Sequence, residues 1–209
     1  MYTPERYKNA DRKELLDFIQ KNPFGILILC NEKKPVATHI PLMLHEERGE
    51  HFLVGHVSKE NKQGKLFYDS PEALAIFQGP HAYISSSWYS HENVSTWNYI
   101  AVHVYGKIKI LSELELTEHL IMLTNSMEAS SEKPKYFENI SSKVVRENMT
   151  GITGFKMMIE TIQANYKLSQ NRNKEDHTTI IRELEKRGDP SSIAVANEMK
   201  KHLPESYSS

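Results

Sequence analysis

The segments FGILILC (residues 24–30), VATHIPLML (36–44) and HFLVGHV (51–57) decide the fold. Each is short and rich in β-branched and aromatic residues. Polar turn segments, Asn31-Glu32-Lys33-Lys34 and residues 46–50, separate them. The pattern predicts three antiparallel strands joined by hairpins. Upstream, Asp11 is placed to cap a helix, with Glu14 at the reciprocal capping-box position and Pro23 as the stop. Downstream, residues 58–68 predict a short helical connection. Strands at 73–78 and 82–89 follow, split by Gly79-Pro80. A long strand at 96–111 buries one face through Val102, Val104, Gly106, Ile108 and Ile110.

Ser112 and Glu115 form a second capping box, opening a helix with Leu116, Leu120, Met122 and Leu123. Another helical stretch lies around 136–148, and strand character returns at 151–168, with Gly154 as a bulge or close-approach point. The tail predicts a helix at 175–187 stopped by Gly188. A second helix follows, capped by Asp189 with Pro190 at its first position. Strands followed by late helices predict a mainly β fold with helical additions (α+β). The alternating rhythm of a doubly wound α/β protein is absent.

The chain has 209 residues, 39 % hydrophobic and 25 % charged, with a formal charge of -1. That charge argues against non-specific coating of nucleic acid, which needs a surplus of cations to displace phosphate counterions. The single cysteine, Cys30, cannot form an internal disulfide, which points to a reducing compartment. Its place in an apolar strand predicts a packing role. The start of the chain lacks the apolar region of a signal peptide, and no apolar run reaches the roughly 20 residues that span a bilayer. The expected location is the cytoplasm, with no membrane partner.

Five segments carry candidate chemistry. In Ala37-Thr38-His39-Ile40-Pro41-Leu42 the proline predicts an edge strand, whose free backbone groups suit a ligand. In Gly55-His56-Val57-Ser58-Lys59-Glu60-Asn61 a strand ends in a hydroxyl, an ammonium and an amide, the best phosphate site on chemical grounds. Residues 77–89 set Ser85, Ser86 and Ser87 beside Trp88 and Tyr89. Thr96-Trp97-Asn98-Tyr99 repeats that mix. These hydroxyls and rings suit a ribityl chain and a flat heterocycle, and equally a subunit interface. In Lys167-Leu168-Ser169-Gln170-Asn171-Arg172 either cation could neutralise phosphate. His39, His56, His81, His91 and His103 lie in or near strands, where they could meet in space. No GxGxxG, Walker A, HExxH or GxSxG pattern is present, and no cysteine pair exists for zinc.

These five segments, in this order and spacing, resemble the PaiB family, described as FMN-binding negative transcriptional regulators. The likeness runs from MYTPERY to the C-terminal helices. Ser95 and Ser86 depart from it, standing where the family commonly has proline. The resemblance implies an FMN-binding split β-barrel over residues 1–172. A C-terminal helical hairpin, residues 173–209, would pack on it. It implies a homodimer with two flavin sites at the subunit interface. By position, Thr38, His39 and Pro41 would lie along the isoalloxazine edge. His56, Lys59 and Asn61 would serve the phosphate and ribityl chain. Ser85, Trp88, Tyr89, Trp97 and Asn98 would form the interface wall, and Lys167, Ser169 and Gln170 would close the site. No catalytic residue and no metal ligand is expected.

The implied function is repression of genes for degradative enzymes such as proteases and for sporulation. The alternative is a flavin-dependent oxidoreductase or a haem-handling enzyme of the split-barrel type. A DNA-reading element is not evident. The second tail helix has Lys200, Lys201 and His202 at its far end, whereas recognition helices read bases near their N-terminus.

Overall fold

The computed structural model describes residues 1–31, 34–68, 72–204 and 207. The proposed turn residues Glu32 and Lys33 lie outside the described residues. In chain order the elements are β1 (Lys8–Asn9), α1 (Arg12–Lys21), β2 (Phe24–Asn31), β3 (Lys34–Pro41), β4 (Met43–Glu47), β5 (Glu50–Ser58), α2 (Gln63–Leu66), β6 (Glu72–Ile84), β7 (Thr96–Ile110), α3 (Glu113–Glu128), α4 (Ser142–Met149), β8 (Ile152–Lys167), α5 (Lys174–Arg187) and α6 (Pro190–Lys201). The sheet order is β3-β2-β6-β7-β8-β5-β4, with β1 pairing β8. The chain divides into two compact units. One comprises residues 1–15, 78–103 and 163–209, the other 16–77 and 104–162.

The unit of residues 16–77 and 104–162 is built from hairpins. β2 and β3 pair from Phe24↔Pro41 to Asn31↔Lys34. β4 and β5 pair from Met43↔Val54 to Glu47↔Glu50. Arg48 and Gly49 turn that second hairpin with φ of 55° and 82°, the left-handed values that a two-residue turn between twisted strands demands. β5 then pairs with β8, Phe52↔Met158 to Ser58↔Ile152. Leu27, Leu29, Leu42, Leu53, Phe77, Phe155 and Met157 are buried in the core.

Several sequence expectations change here. The single strand predicted at 36–44 is two. Pro41 ends the ladder with β2, the Leu42 N–H donates to Pro23 O at 2.7 Å, and Met43 begins a new ladder with β5. Leu42 is the corner, and its side chain is fully buried. The connection at 58–68 is helical only over α2. The stretch 136–148 gives a single 3-10 turn, Phe137–Asn139, and then α4. Cys30 is exposed, not packed. Alternation accounts for it: Leu27 and Leu29 point inward, so the even-numbered side chains take the other face. The edge position inferred from Pro41 holds, since β3 ends the strand order.

In the unit of residues 1–15, 78–103 and 163–209, β6 runs unbroken through Gly79-Pro80. Proline is tolerated because the backbone beside it pairs with a side chain: Ser191 Oγ donates to His81 O at 2.6 Å and accepts from His81 N at 3.4 Å. The strand expected to reach residue 89 stops at Ile84. Ser85 then caps a 3-10 turn over Ser86–Trp88. Asp11 caps α1 through the N–H groups of Lys13 and Glu14, but the reciprocal half of that capping box is not made. The Glu14 carboxylate instead meets His202 at 2.7 Å. α5 ends at Gly188 in the left-handed region, and Asp189 caps α6 through Ser192 N at 3.0 Å. The two helices form a hairpin over Ile180, Leu184, Val195, Ala196 and Met199, all buried. Among the described residues, no helix is long and apolar enough to cross a membrane.

Gly106 is the tightest point of the ladder. A Cβ there would stand 1.7 Å from Met158 O, a backbone atom that cannot swing away. Gly106→Ala is expected to lower the unfolding free energy in urea by about 3 kcal/mol. A change below about 0.5 kcal/mol would show that the strands do not approach this closely.

Candidate functional site

The edge strand β3 alternates. Thr38 shares a side with buried Ile40, while His39 lies with Pro41 on the other side, its ring stacked 6.4 Å from Phe24. Thr38 Oγ1 accepts from Asn61 Nδ2 at 3.0 Å. Asn61 Oδ1 in turn accepts from Gln63 N at 3.0 Å. The fully buried Gln63 donates through Nε2 to both Leu27 O (3.0 Å) and Val36 O (2.9 Å). The turn after β5 is thereby stapled to the β2–β3 hairpin. Thr38 and Asn61 are brought together. Lys59 is exposed in the same turn, its backbone N–H held by Gly151 O at 2.8 Å. It lines a cavity of about 390 Å³ with Arg146, Glu113 and Thr150.

His56 belongs to this strand end, and the Nδ1 side of its ring turns to α3. Its Nδ1 lies 3.1 Å from Nε2 of His119 on α3. His119 is 2 % exposed, and its own Nδ1 is buried without a partner. Burial, reinforced by the His56 charge, lowers the His119 pKa to about 4; burial lowers that of His56 too. The histidine that His56 meets is thus not one of the strand histidines. His119 also lines a cavity of about 440 Å³ with His45, Glu47, Glu115, Glu118 and Lys156. In that cavity Lys156 Nζ donates to Glu115 (2.9 Å) and Glu47 (3.4 Å).

The remaining candidates lie in the other unit. Ser85 caps its turn and shares a hydrogen bond with Ser87 at 2.8 Å. Trp88 is covered by the Arg187 guanidinium, 4.8 Å from the ring centroid. Tyr89 is buried beneath Arg172 at 4.5 Å. Trp97 is 51 % exposed, with His81 and Tyr83 about its ring. Asn98 is fully buried and accepts from Ser169 Oγ at 3.0 Å. Lys167 donates to Thr96 Oγ1, and burial together with the nearby Arg172 charge lowers its pKa. Gln170 folds back on its own turn, donating to Tyr166 O and accepting from Leu168 N at 2.8 Å. Asn98, Ser169 and Gln170 are thus committed to internal bonds.

Sequence reasoning passed over Gln63, His119 and Arg146. His119 carried a signal. It lies three residues after Leu116 and four before Leu123, on the apolar stripe of α3, where a histidine must find a buried partner.

The family described as "Putative FMN-binding domain" matches residues 1–161. The protease synthase and sporulation protein PAI 2 of Bacillus subtilis is 41 % identical over 203 residues, 97 % of this chain and 98 % of that protein. The chain belongs to the PaiB family. An uncharacterized protein of Saccharomyces cerevisiae is 36 % identical over 134 residues, 59 % of this chain and 78 % of that one. Among solved structures, the FAD and haem binding protein from Mycobacterium smegmatis superposes with a TM-score of 0.58 at 14 % identity, covering 82 % of this chain and 78 % of that one. The flavocytochrome Anf3 from Azotobacter vinelandii gives 0.58 at 13 % identity, with 82 % and 75 % covered. These likenesses show the fold of this PaiB-family chain: a split β-barrel, mainly β with helical additions.

Glu115 links the α3 cap to the sheet. Its carboxylate accepts from Lys156, from Ser112 N and from Ser112 Oγ, and these bonds lower its pKa to about 2. A carboxyl depressed on folding stabilises the fold above its unfolded pKa, near 4.3, and loses that contribution as pH falls toward 2. Glu115→Gln is expected to cost about 1 kcal/mol at pH 7, discounted for partial exposure. In thermal unfolding the gap from the wild type should close between about pH 4 and pH 2. A pH-independent gap would assign the effect to packing.

Proposed function

We propose that this protein binds FMN as a cytoplasmic homodimer and acts as a negative transcriptional regulator of genes for degradative enzymes and sporulation. The observation that carries the reading is the 41 % identity, over nearly the whole of both chains, to PAI 2 of Bacillus subtilis. The residues described above fit the ligand. A hydroxyl (Thr38), an amide (Asn61), an imidazole (His56) and the cations Lys59 and Arg146 match the needs of a ribityl chain and a phosphate. His39 and Pro41 on the edge strand are the proposed neighbours of the ring system. The flavin, when bound, supplies any redox chemistry; the protein supplies position and electrostatics.

The aromatic surface of Trp97 with His81 and Tyr83 is of the kind that subunit interfaces use. Ser85, Trp88, Tyr89 and Asn98 are proposed to shape the wall behind it, and Lys167, Ser169 and Gln170 its closing turn. Direct reading of DNA by α6 gains no support from its side chains. Lys200 pairs with Glu185 at 2.5 Å and Lys201 with Glu198 at 2.6 Å. Repression through another surface, or through a partner, is the reading we favour.

FMN fluorescence quenching tests the first half. Tight FMN binding is expected, and Lys59→Ala should weaken it by about 1–3 kcal/mol, the worth of a charge-assisted hydrogen bond. Unchanged affinity removes Lys59 from the phosphate role. A gel shift with and without FMN tests the second half, and absence of a specific shift in both conditions excludes direct DNA binding. Bleaching of bound flavin by NADH or NADPH would move the reading toward an oxidoreductase.

A further inference from the structure

The His56–His119 contact is buried on one side and open on the other. His119 Nε2 and His56 Nδ1 are 3.1 Å apart, so one of them carries the shared proton. Two arrangements of a neutral pair satisfy the bond. In the first, His56 donates from Nδ1. His119 then accepts at Nε2 and must keep its own proton on Nδ1. That atom is buried without a partner, so this arrangement strands an N–H donor in the interior. In the second, His119 donates from Nε2, and the stranded Nδ1 is a bare lone pair. Among backbone groups, orphaned buried N–H donors are rarer than under-satisfied carbonyl acceptors, and we take the same ordering for the imidazole. The second arrangement therefore wins. It leaves His56 with a filled Nδ1 lone pair and its proton on Nε2.

We propose that His119 is a positioning residue that locks His56 in the Nε2–H tautomer, so that His56 offers the flavin nucleotide a neutral N–H donor rather than a lone pair or a cation. The inference rests on the reading that places His56 in the nucleotide site. The hydrogen bond of His56 to protein runs through Nδ1, and among the described residues none is made at Nε2, which leaves that donor open to solvent or to a ligand oxygen. Charging both rings is excluded by their contact, since two imidazolium ions have no acceptor between them. The charged groups lining the cavity that His119 shares are Glu47, Glu115, Glu118 and Lys156, with His45 beside them. Lys156 is bonded to Glu47 and Glu115. This assignment also divides the labour at the strand end. Lys59 supplies charge, and His56 supplies direction, because an imidazole fixed at one nitrogen has a single donor vector at the other.

Long-range proton–nitrogen NMR on nitrogen-15-labelled protein without FMN reads the tautomers directly. At pH 7, the wild type should show His56 protonated at Nε2 and bare at Nδ1, and His119 likewise. His119→Gln retains an amide donor at about the same place and should preserve the His56 tautomer. His119→Leu suits the apolar stripe and removes the donor, so His56 should become a tautomer mixture. FMN affinity should fall about tenfold in His119→Leu and stay within about twofold of wild type in His119→Gln. A wild-type His56 protonated at Nδ1 overturns the proposal, as does a His119→Leu variant with unchanged tautomer or unchanged FMN affinity. If the wild type fails to bind FMN at all, the functional reading fails, while the NMR arm still decides whether His119 sets the tautomer.

Discussion

One buried amide holds the candidate site in register. Gln63 is fully buried, and its Nε2 donates to carbonyls of both β2 and β3. Without it, the turn after β5 would keep its Asn61–Thr38 bond to β3 but lose this hydrogen bond to β2. The same residue donates its backbone N–H to Asn61, and Asn61 reaches Thr38. A chain of hydrogen bonds thus runs from the hairpin interior to the edge strand. Edge strands are the least constrained part of a sheet, because only one side is paired. The amide compensates for that missing neighbour. Its own Oε1 is buried without a partner, so the staple accepts one unfavourable group to satisfy two carbonyls.

Charge and neutrality are separated around this frame. Lys156 is shared between the carboxylates of Glu115 and Glu47 where α3 meets the sheet, so its charge is fully engaged. Burial disfavours the cationic form of both His56 and His119. Lys59 and Arg146 are left to face a common cavity as the open positive groups of that surface. Glu113 lines the same cavity, so an anionic ligand there meets two cations and one carboxylate.

The strand content was legible because period-two alternation, in the runs from Phe24 to Val57 and in β7, is the mark of a backbone whose side chains point to opposite faces in turn. The helix caps at Asp11, Ser112 and Asp189 were legible because each needs one short polar side chain at one position. What failed depended on partners distant in sequence. Pro80 reads as a break until Ser191 is seen bonding to His81. Glu14 reads as half of a capping box until His202 arrives from the far end of the chain. Cys30 reads as core because composition does not say which face of a strand is covered. Within the site, the residue types of β3 and the β5 turn were visible, but the connectors were not. Gln63 acts through geometry that no local pattern encodes, and the place of His119 on the α3 stripe marks it as buried without naming its partner.

The candidates in the unit of residues 1–15, 78–103 and 163–209 sort by what they have left to give. Asn98, Ser169 and Gln170 use their polar atoms internally, and Ser169 does so at a φ of 63°, a strained value for a residue with a side chain. Such residues fix the shape of the turn that follows β8. Lys167 differs. It is half-buried and bonded to one hydroxyl, and burial together with the nearby Arg172 charge lowers its pKa. Arg172 is stacked on Tyr89 and its charge helps lower the pKa of the buried Asp176, whereas among the described residues Lys167 is bonded to the Thr96 hydroxyl, so this turn keeps one ammonium less compensated than its neighbours.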